Sequence, residues 1–148
     1  MKPDLGDLTN SWTVWALFSA FFAALTAIFA KLGVDAIDSD LATFVRTVVV
    51  VCVLGALLAA TGRLQSVAVS PRTLAFLALS GLATGASWLC YFRALKLGDA
   101  ARVAPIDKLS VVLVAVFGVI FLGERLSGPN WAGVALIACG AVLVAYRA

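Results

Sequence analysis

Five long apolar runs limit what this sequence can fold into more than any other feature. A helix needs about 20 mostly apolar residues to cross a hydrocarbon core about 30 Å thick. The runs that meet this requirement lie at about 12–34, 41–61, 73–95, 101–122 and 131–146. Because five such helices use about 100 residues, only short linkers remain. The sequence therefore predicts an all-α integral membrane protein, a five-transmembrane-helix bundle.

The domain organisation follows from the same count. One membrane domain extends over residues 12–147, and successive helices should be antiparallel neighbours because the linkers are short. Residues 1–11 form an N-terminal leader. The run after this leader is too long for a signal-peptide core, so we interpret the first helix as retained.

Composition excludes the soluble classes of protein. The 148 residues are 63% hydrophobic and 13% charged, whereas soluble domains average about 45–50% apolar and about 25% charged residues. The net charge of +3 is spread thinly, so no nucleic-acid partner is expected. The chain has no His, and we interpret Cys52, Cys90 and Cys139 as small core residues. Neither a metal site, a disulfide framework nor a cofactor is indicated.

Turn and breaker residues mark two helix starts. Ser70 can cap the third helix, with Pro71 at its first position. The meaning of Pro105 depends on where the fourth helix begins. If Asp99 is the N-cap, Pro105 lies inside the helix and kinks it; with a later start, Pro105 belongs to the first turn.

The third span has two patterns of its own. Gly81 and Gly85 form a G-x-x-x-G pair, which favours helix contacts within the bundle or with a second copy. Thr84, Trp88 and Tyr91 recur at helical spacing and form one stripe. That stripe is either an aromatic packing surface or a wall that contacts substrate.

Charged residues inside the spans collect at one end of the bundle. With five spans the termini lie on opposite sides, and we name side B the one with loops 35–41 and 96–101 and the C-terminus; the opposite face is side A. Alternating helix directions bring five embedded charges to side B: Lys31, Arg46, Arg93, Asp107 and Lys108. A charged group in the bilayer costs on the order of 3 kcal/mol, so these groups either snorkel or face water, a partner or a cavity.

Asp107, the one acid in this group, needs a cation as its partner. Asp107 and Lys108 are adjacent, about 100° apart around a helix, and should not pair well with each other. The sequence predicts instead that Asp107 finds its cation on another helix, at Arg46 or Arg93, or that it titrates during function.

The orientation signal is weak. Counting all basic residues makes side B cytoplasmic, but counting only those outside the spans removes the bias. The chain therefore inserts in one orientation set by other factors, or in both, which would give antiparallel dimers.

Several segments resemble a known repeat. Phe121–Ser127 (FLGERLS) is the most specific, followed by Trp131–Gly140 (WAGVALIACG), and Ala30–Gly33, Arg46 and Tyr91–Leu95 (YFRAL) add to it. Together they are similar to the EamA-type repeat of the drug/metabolite transporter superfamily, over nearly the whole chain. Members usually carry two such five-helix repeats in inverted orientation around a central substrate path.

Two acids bear on how far the resemblance extends. The small multidrug-resistance proteins of this superfamily use a Glu in the first helix, but here the first span has no acid before Asp35. Proton coupling by that route is not expected. Glu124, within the most specific motif, is interpreted as a structural group at a helix end, paired with Arg125 or a loop.

The resemblance implies a transporter subunit of the cell (inner or plasma) membrane that moves a small metabolite by alternating access. Because this chain has one repeat, two copies should assemble as a homodimer, antiparallel or parallel. The predicted substrate path comprises Lys31, Arg46, Thr84, Trp88, Tyr91, Arg93, Asp107 and Lys108. Four cations against one acid favour an anionic or zwitterionic solute.

Two other classes of function are a membrane scaffold and an enzyme. A non-transporting scaffold or accessory subunit would use the buried charges as a structural latch. An enzyme is not expected, because the chain has no His, no Ser or Cys beside a base and no closely paired carboxylates.

Overall fold

The computed structural model describes residues 11–63 and 69–146, so the predicted leader lies outside the described residues except for Ser11. Helices are the only regular elements in these ranges: α1 (Trp12–Val34), α2 (Ser39–Ala60), α3 (Pro71–Leu97), α4 (Ala100–Asp107), α5 (Ser110–Phe121) and α6 (Gly128–Ala145). Helices α4 and α5 are two halves of one span. Five spans are therefore long and apolar enough to cross a membrane, as predicted.

Local capping fixes where two of these helices begin. The Ser70 hydroxyl accepts a hydrogen bond from the Thr73 N–H at 3.1 Å, and Pro71 occupies the first turn of α3, as predicted. The Asp38 carboxylate caps α2 by accepting from the N–H groups two and three residues on, at 2.9 and 3.2 Å. The latter cap places the start of α2 two residues earlier than the sequence estimate.

The hydrophobic core cluster of the described residues lies at side B. It contains Ala30, Val34, Ala42, Phe92 and Leu95. These residues come from the end of α1, the start of α2 and the end of α3, and α4 packs against them. In none of the five spans is more than 11% of the apolar 18-residue stretch buried. The helices therefore pack tightly at one end and leave most of their length exposed.

Three long basic side chains connect neighbouring elements at side B. Each donates to a backbone carbonyl of another element: Lys31 Nζ to Leu95 O at 2.9 Å, Lys96 Nζ to Ile37 O, and Arg102 Nη2 to Ala145 O. The carbonyls of Leu95 and Ala145 belong to the last turns of α3 and α6, where no intrahelical donor follows. These contacts hold α1 to α3, the α1–α2 loop to α3, and α4 to α6.

The fourth span is broken. Asp99 occupies the N-cap position of α4, so Pro105 falls inside the helix, and the kink is the alternative that the structure shows. Beyond Asp107 the backbone changes its hydrogen-bonding pattern: Leu109 N–H donates to Ile106 O at 3.0 Å, three residues back. Because these three-residue bonds interrupt the α-helical pattern, α5 begins afresh at Ser110; Pro105, just before the break, lacks the N–H that would donate to the carbonyl of residue 101.

The end of α5 explains part of the most specific motif. Gly123 has a positive φ of 70°, which favours glycine, and ends the helix. The Glu124 N–H then donates to Gly118 O at 3.1 Å. The Glu124 carboxylate lies against Gly118 so closely that a Cβ there would be 2.6 Å from Oε2. Glu124 is therefore placed at a helix end.

Two expectations about small residues differ from the structure. Cys52, Cys90 and Cys139 are free and exposed, so their interpretation as core residues was wrong. Small apolar side chains are equally suited to a surface that faces lipid. A Cβ at Gly81 or Gly85 would meet no atom within 4 Å, so neither glycine makes a close contact within this bundle. Contact with a second copy stays a prediction.

Candidate functional site

Five of the predicted path residues line one cleft at side B. This central cleft has a volume of about 190 Å³ and is lined by Ala23, Thr26, Arg46, Ser87, Trp88, Tyr91, Phe92, Asp107 and Lys108. Its walls come from α1, α2, α3 and the end of α4. The cleft therefore lies where four of the five spans meet, beside the buried core.

Arg46 lies deep in this cleft, over an aromatic wall. It is seven residues into α2, about 10 Å from the helix start at 1.5 Å per residue. Its guanidinium carbon Cζ is 3.8 Å from the Trp88 ring centroid and 5.8 Å from that of Phe92. The ring faces attract the cation, which is how the guanidinium is held away from the headgroups.

The guanidinium is not fully satisfied. Within the described part of the chain, Arg46 Nη1 is buried and has no hydrogen-bond partner. Leaving a buried donor unpaired costs about 1–3 kcal/mol, and more for a charged group. An acceptor that entered the cleft and reached this guanidinium would remove that cost.

Asp107 has a different partner from the predicted one. Its Oδ2 lies 3.2 Å from Lys108 Nζ, so the expectation of a cation at Arg46 or Arg93 was wrong. The reason is the broken span: α4 ends at Asp107, so Lys108 belongs to a turn and not to a continuing helix. The central cleft thus holds two cations, Arg46 and Lys108, and one carboxylate.

The three other predicted path residues do not line this cleft. Lys31 forms an ion pair with Asp35 at 3.0 Å, in addition to its bond to α3. The exposed Thr84 hydroxyl donates to Ser80 O at 2.9 Å. Arg93 is exposed. The predicted group of four cations around one acid is therefore smaller than the sequence suggested.

Two polar lining residues, Thr26 and Ser87, were missed by the sequence analysis. Thr26 is the only hydroxyl residue of α1 between Ser19 and Lys31, and this isolation in an apolar run was a usable signal. Ser87 lies three residues after Thr84 and four before Tyr91, so it shares the helical face of the aromatic stripe, and that spacing was a usable signal too. Both residues line the same cleft as Arg46.

Two further clefts adjoin the central one. The apolar cleft, of about 370 Å³, shares Thr26, Arg46 and Phe92 with it and is otherwise lined by Phe29, Ala30, Gly33, Ile37, Ala42 and Val45. The outer cleft, of about 490 Å³, shares Ser87, Tyr91 and Asp107 with it and also touches Arg102 and Ala145. Because neighbouring clefts share wall residues, the three form a row with the central cleft in the middle.

The described residues include no group of three or more His, Cys, Asp or Glu side chains able to hold a metal ion. The groups in the cleft can recognise a ligand by charge and hydrogen bonds: they are a guanidinium on an aromatic wall, one ion pair and several hydroxyl groups. Such a set is typical of a site that recognises a small charged molecule.

The chain is similar to one family model and to a relative from Sinorhizobium sp. The EamA-like transporter family model matches residues 10–146. A protein of Sinorhizobium sp named "Uncharacterized transporter in cobO 3'region" is 67% identical over 139 residues, covering 93% of this chain and 99% of the relative. That relative therefore also has the length of one repeat. No solved structure matches the chain.

Proposed function

Because the chain belongs to the EamA-like transporter family, we propose that it moves a small anionic or zwitterionic metabolite by alternating access, as a homodimer in the plasma membrane. The multi-pass membrane character and the transporter assignment follow from the family and the five spans. The substrate class, the mechanism, the dimer and the plasma membrane are the parts proposed.

The central cleft carries the proposal. A bilayer disfavours embedded charge, yet Arg46, Asp107 and Lys108 line one small space together with Trp88 and Tyr91. The two cations outnumber the carboxylate, so the local field favours a negatively charged group. Transporter substrate sites also typically lie between helices at a discontinuous segment, and the break after Asp107 borders this cleft.

The low burial of the spans supports the homodimer. Not one of the 18-residue apolar stretches is more than 11% buried, so each helix has a large face that another chain could cover. A second copy, inserted in the opposite direction, would reproduce the inverted pair of repeats that family members usually carry. Tags at both ends test this: signals from both sides of the membrane support the antiparallel dimer, and one fixed orientation would exclude it.

The experiment for the transport proposal uses purified protein in liposomes. Preloading with an unlabelled organic acid should accelerate uptake of the labelled acid, because an alternating-access carrier exchanges substrate faster than it returns empty. Empty liposomes and liposomes with the Arg46→Gln variant serve as controls. Movement of organic cations without any anionic or zwitterionic solute would sink the proposal.

A scaffold or accessory subunit is the second candidate. The observation in its favour is that Lys31, one of the embedded charges, joins α1 to α3 through Leu95 O and pairs with Asp35, as expected for a structural latch. Asp107→Asn separates the two candidates. A latch should lose assembly in this variant, whereas a group that acts in transport should keep assembly and lose substrate movement.

A further inference from the structure

We infer that Arg46 is the specificity-determining residue for an amphipathic monocarboxylate, whose carboxylate binds in the central cleft and whose apolar body occupies the apolar cleft. The inference rests on the proposed function and narrows its substrate class. It starts from one fact of position: Arg46 belongs to the walls of both clefts.

The first step concerns the polar group of the ligand. Arg46 is held over Trp88 at 3.8 Å, and its buried Nη1 has no acceptor among the described residues. A guanidinium offers N–H donors in a planar fork that matches the two oxygens of a carboxylate. A carboxylate therefore supplies the hydrogen-bond acceptor that the protein does not provide for the Arg46 guanidinium.

The second step concerns the charge of the ligand. The central cleft contains the charges of Arg46, Lys108 and Asp107, a net of +1 from two cations and one carboxylate. Because Asp107 and Lys108 already neutralise each other at 3.2 Å, the remaining positive charge is that of Arg46. A ligand with one negative charge neutralises the cleft. A dianion would bring a second negative charge that is desolvated and has no counter-charge, and a cation would add to the existing positive charge.

The third step concerns the body of the ligand. Apart from Thr26 and Arg46, the apolar cleft is lined only by carbon side chains and Gly33, and its volume of about 370 Å³ exceeds that of the central cleft. A polar or charged body would lose its hydration there without compensation. An aliphatic or aromatic body of a few carbons up to one ring suits the space.

The test uses the whole chain in nanodiscs of zwitterionic lipid and the fluorescence of Trp88. The chain has four tryptophans, so replacing Trp12, Trp15 and Trp131 by Phe leaves Trp88 as the sole reporter. The probe is 3-phenylpropionate, compared with acetate, phenylsuccinate, 3-phenylpropylammonium and phenylalanine, with protein-free nanodiscs subtracted.

We expect 3-phenylpropionate to bind at least about tenfold more tightly than acetate, because burial of its ring adds apolar contact. The dianion, the cation and the zwitterion should each bind more weakly than 3-phenylpropionate. Arg46→Gln should weaken binding at least about tenfold, the usual loss for a hydrogen bond to a charged group. Arg46→Lys should not restore it, because an ammonium has no planar fork.

Two matched controls separate Arg46 from arginine in general. Arg72 lies 5.9 Å from the Phe76 ring at the other end of the bundle, and Arg93 is exposed at the same end as Arg46. Arg72→Gln and Arg93→Gln should leave the affinity unchanged. Retention of affinity in Arg46→Gln, tighter binding of phenylalanine, or displacement of the probe by phosphatidylglycerol would each overturn the inference.

The outcomes also distinguish this inference from the transport proposal. Binding that depends on Arg46, without solute exchange in liposomes, would support the site and contradict the transporter. Exchange of other solutes without binding of 3-phenylpropionate would support the transporter and contradict the site.

Discussion

The Arg46 guanidinium lies 3.8 Å from the ring centroid of Trp88, and the two residues belong to different spans, α2 and α3. This contact connects helix packing with the central cleft, because the same ring that holds the cation also lines the space. A cation over an indole face contributes about 0.5–2 kcal/mol, depending on how far it is desolvated. The aromatic wall is thus part of the proposed binding site.

Replacing Trp88 should therefore impair substrate recognition. We expect Trp88→Ala to raise KM by roughly 3- to 30-fold, which corresponds to the free energy of the lost cation–π contact. Trp88→Phe should raise KM less, because a ring face remains. Uptake kinetics in liposomes measure both. Trp131→Ala, at the exposed start of α6, is the control and should behave as the unmodified protein. An unchanged KM in Trp88→Ala would contradict a role for the contact.

Lys31 should contribute to stability and not to substrate selection. Its ammonium donates to Leu95 O at 2.9 Å and pairs with Asp35. We expect Lys31→Met to reduce the free energy of unfolding by about 1 kcal/mol, with partial exposure already discounted. Asp35→Asn, in which Lys31 keeps its hydrogen bond to α3, should reduce the free energy of unfolding by less. Unfolding in mixed detergent micelles measures this, and a change in substrate preference without loss of stability would show that Lys31 belongs to the path.

Pro105 should affect the rate of transport more than the affinity. In Pro105→Ala the restored N–H can donate within α4, so we expect higher thermal stability and a lower turnover at similar KM. The physical reason is that a bond from residue 105 to the carbonyl of residue 101 would stiffen α4 beside the break at residues 108–109. Pro129→Ala is the control, because Pro129 lies in the first turn of α6, where no N–H is needed. Unchanged turnover would contradict a hinge.

Gly85 should contact a second copy of the chain. A Cβ at Gly85 meets no atom within 4 Å, so Gly85→Leu should leave the fold of one chain intact. We expect it to lower the dimer fraction, because close approach of two helices needs small residues. Gly55 is equally unobstructed but lies outside the G-x-x-x-G pair, so Gly55→Leu is the matched control. Cross-linking in liposomes measures the dimer, and equal fractions would disprove the contact.

The Asp38 cap should make stability depend on pH. Backbone N–H groups of Leu41 and Asp40 bond to this carboxylate and lower the Asp38 pKa from its ordinary value of 3.8. A lowered folded-state pKa means that the stabilisation is fully present above the unfolded-state pKa and is lost as pH falls through the folded-state pKa. The stability difference between the unmodified protein and Asp38→Ala should therefore be constant at neutral pH and shrink in acid. Asp38→Asn, which cannot titrate, should not show this dependence.

The outline of the fold was predictable from the sequence alone. Membrane spans are defined by length and apolar composition, and neither depends on the relative rotation of the helices. Strict alternation of direction then brings Lys31, Arg46, Arg93 and Asp107 to one end, whatever the packing. The start of α3 at Ser70 and Pro71 was also predictable, because a helix cap depends on neighbouring residues alone. The resemblance on Phe121–Ser127 indicated the family, which the family comparison confirmed.

The tertiary structure decided which of those charges meet. Each residue turns a helix by about 100°, so the face that a side chain occupies depends on how two helices rotate against each other, and apolar runs without a polar face do not specify this. Helix rotation placed Arg46 over Trp88 and left Arg93 exposed. The backbone break after Pro105 paired Asp107 with its neighbour Lys108. The sequence thus determined that charge gathers at side B, and only the packing of α1 to α4 determined that Arg46 Nη1 is buried without an acceptor among the described residues.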